Sequence, residues 1–219
     1  MKRISIRDNV FHKLVNGQES LIDSEVLDVI IINAAVISRM YYPNEYDPNK
    51  TSSPVCWSSD TRNPDPDVIC KQSYRCMDCE QDIKGSGVGN SRACKFSQKI
   101  AVTIEDNLYD IYQLQLPATS LFGSAKRGWM SMQNYAKHLA SHDTSAMMVV
   151  TRICFEHDGY APRLRFRPMR VLDEAELEVV AELENHPDTL KAITMVAPEP
   201  SYSASPFEKV DGFVFNKAT

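Results

Sequence analysis

The chain has 219 residues, 43% apolar and 24% charged, with six cysteines and a formal net charge of −5. That is the composition of a globular protein long enough for one domain with a sizeable core. It argues against a protein that coats nucleic acid by bulk charge, although a local basic groove stays open. No apolar run reaches the ~20 residues of a membrane-spanning helix, so the expectation is a cytoplasmic protein with no membrane partner. Charge is uneven: residues 173–219 carry ten acidic and three basic side chains, while residues 1–172 carry 21 basic and 19 acidic.

Residues 1–24 place Phe11, Leu14, Val15, Leu21 and Ile22 around an Asn16-Gly17 turn signal, and read as strand or short helix. Glu25 to Tyr42 is rich in Val, Ile and Tyr and stops at Pro43. It reads as one long strand bent near Ala34-Ala35, with a buried helix as the rival. Tyr41, Tyr42 and Tyr46 follow closely, ahead of a turn-rich segment at Asp47–Thr51.

The stretch from Cys56 to Cys94 holds five of the six cysteines. Cys76 and Cys79 form a C-x2-C pair, which can present two thiolates to one metal, and Cys56 and Cys94 can close a tetrahedron. Zinc in structural sites takes four such ligands. Pro64, Pro66, Gly85, Gly87 and Gly89 interrupt the stretch, and little apolar periodicity is left for it to fold around except a metal. Disulfides are the competing reading. Residues 1–8 are charged with no apolar h-region behind them, which favours a reducing compartment and metal. Cys70 could replace Cys56. The place of Cys56 beside Trp57, at the end of a Pro-flanked segment, favours Cys56.

Two clearer strands follow, Lys99–Glu105 and Tyr109–Leu116, joined by a short polar link as a hairpin. After a loop at 117–129 comes a helix over Met130–His142, with Met132, Tyr135, Ala136 and Leu139 on one face and Ser131 as N-cap. His138 and His142 share a helix face. They read as solvated side chains near a helix C-terminus rather than metal ligands. Ala146–Phe155 is a strand, with Cys154 as a core thiol, and His157-Asp158-Gly159 is a turn. Arg163–Arg167 alternates, with Leu164 and Phe166 on one face and Arg163, Arg165 and Arg167 on the other. Asp173–Asn185 is an acidic amphipathic helix with Leu177, Val180, Ala181, Leu183 and Leu190 as core contacts. An extended tail carrying Phe213-Val214-Phe215 follows.

The expected fold is mainly β with α (α+β): an OB-like barrel over residues 1–172 with a zinc subdomain at 56–94, then an acidic helix and tail over 173–219. Enzyme signatures are thin. The P-loop, G-x-S-x-G and G-x-G-x-x-G patterns are absent. Asp60, Asp65 and Asp67 could hold a hard cation, but the interleaved prolines favour turn roles. A site closed by four cysteines is structural rather than catalytic.

Three features fit single-stranded nucleic acid. Arg163, Arg165 and Arg167 recur at the spacing of a phosphate track. Aromatic rings stand beside cations: Tyr41 and Tyr42 near Arg39, and Trp129 near Lys126 and Arg127. Bases stack on such rings without sequence preference. The acidic C-terminal part could compete with DNA or recruit partner proteins. The bland reading of the arginines is a solvated sheet face paired with the acidic helix that follows.

The succession Cys56-Trp57-Ser58-Ser59-Asp60, then Cys76-x2-Cys79, then Gly85-Ser86-Gly87-x-Gly89-x-Ser91-Arg92-Ala93-Cys94-Lys95 is joined by three further pieces. These are Leu116-Pro117-Ala118-Thr119-Ser120, Tyr135-Ala136-Lys137 and Val149-Val150-Thr151-Arg152-Ile153. Together they resemble a group of phage-encoded, zinc-containing single-stranded DNA-binding proteins, over roughly residues 25–170. In outline the chain is also similar to the T-even phage helix-destabilising protein, an OB-fold with a zinc subdomain and an acidic C-terminal part. That protein's site uses three cysteines and a histidine, whereas no histidine lies between Cys56 and Cys94 here. The resemblance implies binding of single strands in replication, recombination or transcription, without catalysis. A module that contacts a polymerase and binds DNA weakly or not at all is the alternative, and a zinc-dependent nuclease a third.

Overall fold

The computed structural model describes residues 1–43, 54–156 and 163–194. The expected turns at Asp47–Thr51 and His157–Gly159, Tyr46, and the tail with Phe213-Val214-Phe215 lie outside them.

The chain opens with three strands, β1 (Lys2–Arg7), β2 (Val10–Val15) and β3 (Gln18–Ile22). Asn16-Gly17 closes the β2–β3 hairpin with both residues at positive φ, 51° and 80°. Asp8-Asn9 does the same for β1–β2 at 50° and 58°. Positive φ at both central residues gives a turn whose twist matches the flanking strands, and Asn and Asp tolerate it better than other side chains. β4 (Val26–Ala34) and β5 (Ser38–Tyr41) are the two halves of the long strand expected over 25–42, interrupted at residues 35–37.

β6 (Cys56–Ser58) lies at the start of the cysteine stretch. The hairpin follows as β7 (Cys94–Ile104) and β8 (Asn107–Pro117). Next come α1 (Ala118–Leu121), α2 (Met132–Ala140), β9 (Val149–Phe155) and β10 (Leu164–Val171). The described chain ends with α3 (Glu174–Glu184) and α4 (Pro187–Ile193).

The sheet runs β10-β9-β4-β7-β8-β1-β2-β3, antiparallel except where β1 lies parallel to β8 with Lys2 opposite Tyr112. β7 is its spine. Residues 100–104 pair with β4, and residues 94–97 pair with β5, which carries β6 on its far side. The sheet curls into a half-barrel. Phe11 on β2 and Phe155 on β9 are remote in strand order, yet their rings stand 4.5 Å apart. The barrel-like α+β expectation therefore stands at the coarse level.

Two cores result, because most strands bury both faces. Ile4, Phe11, Val29, Ile100, Leu114 and Phe166 fill the inside of the curl together with Leu121 of α1 and Tyr135 and Leu139 of α2. The Tyr135 hydroxyl bonds the Thr151 hydroxyl at 2.6 Å, and both residues are buried. Ile30, Ile32, Ala101, Ile111 and Val150 bury the other face beneath Val180 and Leu183 of α3 and Ala192 of α4.

Several local expectations need correction. Ser131 precedes α2, but its hydroxyl donates to Gly123 O at 3.0 Å instead of capping the helix. The strand expected from Ala146 begins at Val149, since Ala146–Met148 form a 3-10 turn. Cys154 is only half-buried, because it alternates with Ile153 and Phe155, which take the core side of β9. Leu190 is 45% exposed, and Ala192 and Thr189 take the buried face of α4 instead.

α3 starts on a capping box. Asp173 accepts from Glu176 N, and Glu176 accepts from Asp173 N. Glu176 also receives two hydrogen bonds of 2.7 Å from Arg170, which hold its carboxyl down at about 2, from an ordinary value of 4.5. A carboxyl depressed on folding stabilises above its unfolded pKa, and that contribution is lost as pH falls from about 4.5 toward 2. Because Arg170 is partly exposed, Glu176→Gln should cost about 1 kcal/mol, or ~2–4 °C in Tm at neutral pH. Thermal melts at pH 7 and pH 3 check this: the gap between variant and wild type should narrow at the lower pH.

Candidate nucleic-acid interface and cysteine cavity

The cysteine stretch builds a small satellite core of Cys56, Trp57 and Val68, with Met40 and Tyr41 packed against it. Tyr41 sits opposite Cys56 on β6 and opposite Cys94 on β7, so these two cysteines share one rung of the sheet across Tyr41. The C-x2-C pair lies in a 3-10 turn, Cys76–Asp78, which is followed by Cys79. Cys79 N donates to Cys76 O, and Cys76 N is tied to Arg62 O at 2.8 Å.

Cys56, Cys76, Cys79 and Cys94 all line one cavity of about 20 Å³. A site needs roughly 10–15 Å³ to hold a single water, so this cavity has room for one atom or ion and no organic ligand. Cys70 is exposed and takes no part in its wall. As the side chains stand, no group of three or more His, Cys, Asp or Glu among the described residues is drawn in tightly enough to hold a metal ion. Burial pushes the Cys56 and Cys76 thiols up, and Cys94 up to about 12.

Arg39 lines the same cavity. Its side chain is 12% exposed, ion-paired to Asp82 at 2.5 Å and stacked over Phe96 at 4.3 Å. Asp82 is shared with Arg92, 2.9 Å away. Arg39 therefore belongs to the interior of the cysteine region, not to an outer face as its neighbouring tyrosines suggested. Tyr41 lines the cavity too, and the Tyr42 hydroxyl points back to Met40 Sδ at 3.4 Å. Asp60 and Asp65 build turns, accepting from Arg62 N, Asn63 N and Ser59 N. His142 Nδ1 bonds His138 O at 2.8 Å.

The second half of the site forms where the loop after α1 meets β10. Lys126 and Trp129 pair across a tight turn with Arg127 at φ 53° and Gly128 at φ 80°. Met130 then bridges Phe166, with N–O distances of 3.0 and 2.9 Å in the two directions. That bridge covers part of the free edge of β10 and brings Trp129 beside Arg167, whose guanidinium lies 4.5 Å from the ring centre. Lys126 and Arg127 are exposed.

The alternation of three outward arginines holds only in part. Arg165 is 6% exposed because Glu156, at the end of β9, draws it in with contacts of 2.6 and 2.7 Å. Arg163 shares the same carboxylate at 3.3 Å. Of Arg163, Arg165 and Arg167, Arg167 is left toward the turn. The acidic helix takes Arg170 instead.

Two residues that the sequence pattern did not single out join the halves. Phe122, 45% exposed, packs edge-on against Phe96 with centroids 5.6 Å apart. Phe96 carries Arg39 on its ring. Gly123, at φ 124°, adjoins the Arg165 guanidinium. No local pattern announces a contact between residues so distant in the chain. The only signal was that both are aromatic residues flanking otherwise polar loops.

Compared with models of protein families, with curated proteins and with solved structures, the chain matches none. No helix among the described residues is long and apolar enough to cross a membrane.

Proposed function

We propose that the protein binds single-stranded DNA, without catalysis, on the face formed by the Lys126–Trp129 turn and β10, in phage DNA replication, recombination or transcription. The observation that carries this is the stack of Arg167 on Trp129 beside the exposed Lys126-Arg127 tip. It offers an aromatic face for a base and cations for the phosphates on either side of it. Phe122 extends the aromatic surface toward the cysteine half. Arg163 contributes at the margin, while Arg165 and Arg39 act by holding the surface in place. The setting in phage replication rests on the sequence resemblance.

The cysteine half is read as a structural zinc centre with Cys56, Cys76, Cys79 and Cys94 as ligands and Cys70 outside it. Support comes from the one-ion size of the cavity and from the four cysteines among the residues that line it. A divalent cation there would invert the effect of burial and hold the thiols as thiolates. Arg39 would offset part of the negative charge of four thiolates.

A protein-contact reading has its own observation. Ile69, Tyr74, Met77 and Val88 of the cysteine loop are 89%, 94%, 73% and 79% exposed. Partner proteins, a polymerase among them, fit that surface or the acidic C-terminal part. Fluorescence anisotropy with a labelled oligo-dT and a matched duplex, across salt, separates the readings. Tight binding to the single strand that weakens with salt supports strand binding. Absence of binding at low salt, with zinc bound, leaves the protein-contact reading.

A further inference from the structure

Where β4 gives way to β5, the sheet leaves a cleft of about 310 Å³. Two irregularities open it. β4 carries a bulge between Ile31 and Asn33 opposite β7, and the chain then breaks at residues 35–37. The cleft is lined by Ile31 and Asn33 of β4, Gln98 of β7, Met132 and Gln133 of α2, and Met147 of the 3-10 turn before β9, among others. Its volume is at the small end of the ~300–1,000 Å³ usual for ligand clefts.

The lining chemistry is selective. Among the described residues no charged side chain lines the cleft, so an anionic or cationic group seated there would be left unpaired by them. Three carboxamides, Asn33, Gln98 and Gln133, line it instead, with two thioethers and two isoleucines, and Asn33 is already engaged, its Oδ1 accepting from Ala34 N at 2.8 Å and its Nδ2 donating to Glu184 O at 3.5 Å. Gln98 is 8% exposed. Its Nε2 donates to Ala35 O at 2.8 Å, while its Oε1 is buried with no hydrogen-bond partner among the described residues. A buried, unpaired carbonyl oxygen costs about 1–3 kcal/mol, which an N–H would recover on a ligand that draws Oε1, enclosed as it stands, toward the cleft. Thioethers pack favourably on aromatic rings, and a carboxamide oxygen accepts from the exocyclic amino groups on nucleobase edges.

The geometry points to a pocket for one unstacked nucleobase, held by its edge on Gln98 and by its faces on Met132 and Met147. This rests on the strand-binding reading for the source of the base. The placement fits that source. Gln98 is two residues along β7 from Phe96, and Met132 opens the helix whose Asn134 is anchored to Gly123 O at 2.7 Å. A base leaving the Trp129–Phe122 surface would thus meet the cleft next. Affinity would then vary with the base at one position of an otherwise sequence-tolerant strand.

The test is a methyl spectrum of the full chain with labelled methionines, titrated with each of the four uncharged deoxynucleosides and then with a single-stranded 12-mer. Saturable shifts of the Met132 and Met147 methyls, with Met77 unmoved, are expected for at least one nucleoside. Gln98→Leu should weaken that response at least tenfold. Should this variant lose its dispersed spectrum, Gln133→Ala at the half-exposed rim should weaken it several-fold. If the 12-mer binds by anisotropy and no nucleoside or strand moves Met132 or Met147, the pocket is overturned and strand binding survives. Nucleoside shifts without 12-mer binding would keep the pocket and remove the strand as its source.

Discussion

Purified protein should carry one zinc per chain, and Cys76→Ser or Cys79→Ser should reduce that content to background while Cys70→Ser leaves it unchanged. The contrast follows from position alone. Four thiols face a cavity sized for one ion, and the fifth cysteine of the stretch faces solvent. Structural zinc contributes an apparent ~10–16 kcal/mol in small metal-dependent domains at neutral pH, more than any side-chain contact in the chain. Its removal should therefore have the largest effect of any perturbation proposed. Hydrogen exchange should locate the loss in β5, β6 and residues 56–94 first. It should then reach β7, because residues 94–97 of that strand pair with β5. Elemental analysis with exchange before and after chelation makes the measurement. Undiminished zinc in the Cys76→Ser protein would sink the assignment, as would a mass showing the four thiols joined as disulfides.

Trp129→Ala should weaken binding of a single-stranded oligonucleotide by roughly fivefold to over a hundredfold, the ~1–3 kcal/mol of one base–aromatic stack. Arg127→Ala should lower the slope of log affinity against log salt by about 1, the change expected when one phosphate is no longer neutralised. Arg127 is suited to that test: it is exposed at the tip of the turn. Arg167→Ala removes the cation from the Trp129 ring, so it should affect both quantities. Arg165→Ala should behave differently. It leaves the Glu156 carboxylate without its closest cation in a partly buried setting, and a broken buried pair costs about 3–5 kcal/mol. Its main consequence should be a lower melting temperature. Anisotropy across salt and thermal melts on the same four proteins distinguish the two behaviours. Unchanged affinity in both Trp129→Ala and Arg127→Ala would remove this face from consideration.

The legible parts of the chain are those where local chemistry decides. The β7–β8 hairpin follows from two β-branched and aromatic runs across a short polar link. The convergence of Cys56, Cys76, Cys79 and Cys94 on one cavity follows from a C-x2-C turn flanked by strands. α2 follows from Met132, Tyr135 and Leu139 at helical spacing. Elements set by distant partners are not legible in this way. Asp8-Asn9 makes a hairpin turn without glycine. Pro187 occupies the first turn of a further helix, α4, where its missing N–H has no helical partner to lose. Arg165 alternates like an exposed residue, yet Glu156 draws it inward. The contact between Phe96 and Phe122, which joins the two halves of the site, depends on the hairpin and α1 folding back together.

The parallel pairing of β1 with β8 bears on how the molecule is made. The β1–β2 hairpin pairs residues close in sequence and can form before β8 is made. Its docking partner is β8, so β1 must wait for residues 107–117 to be synthesised before its second edge is covered. Until then the newborn chain presents an unpaired edge carrying Ile4 and Ile6. Non-local pairing of this kind slows folding, and makes the arrival of residues 107–117 the moment at which β1 is captured.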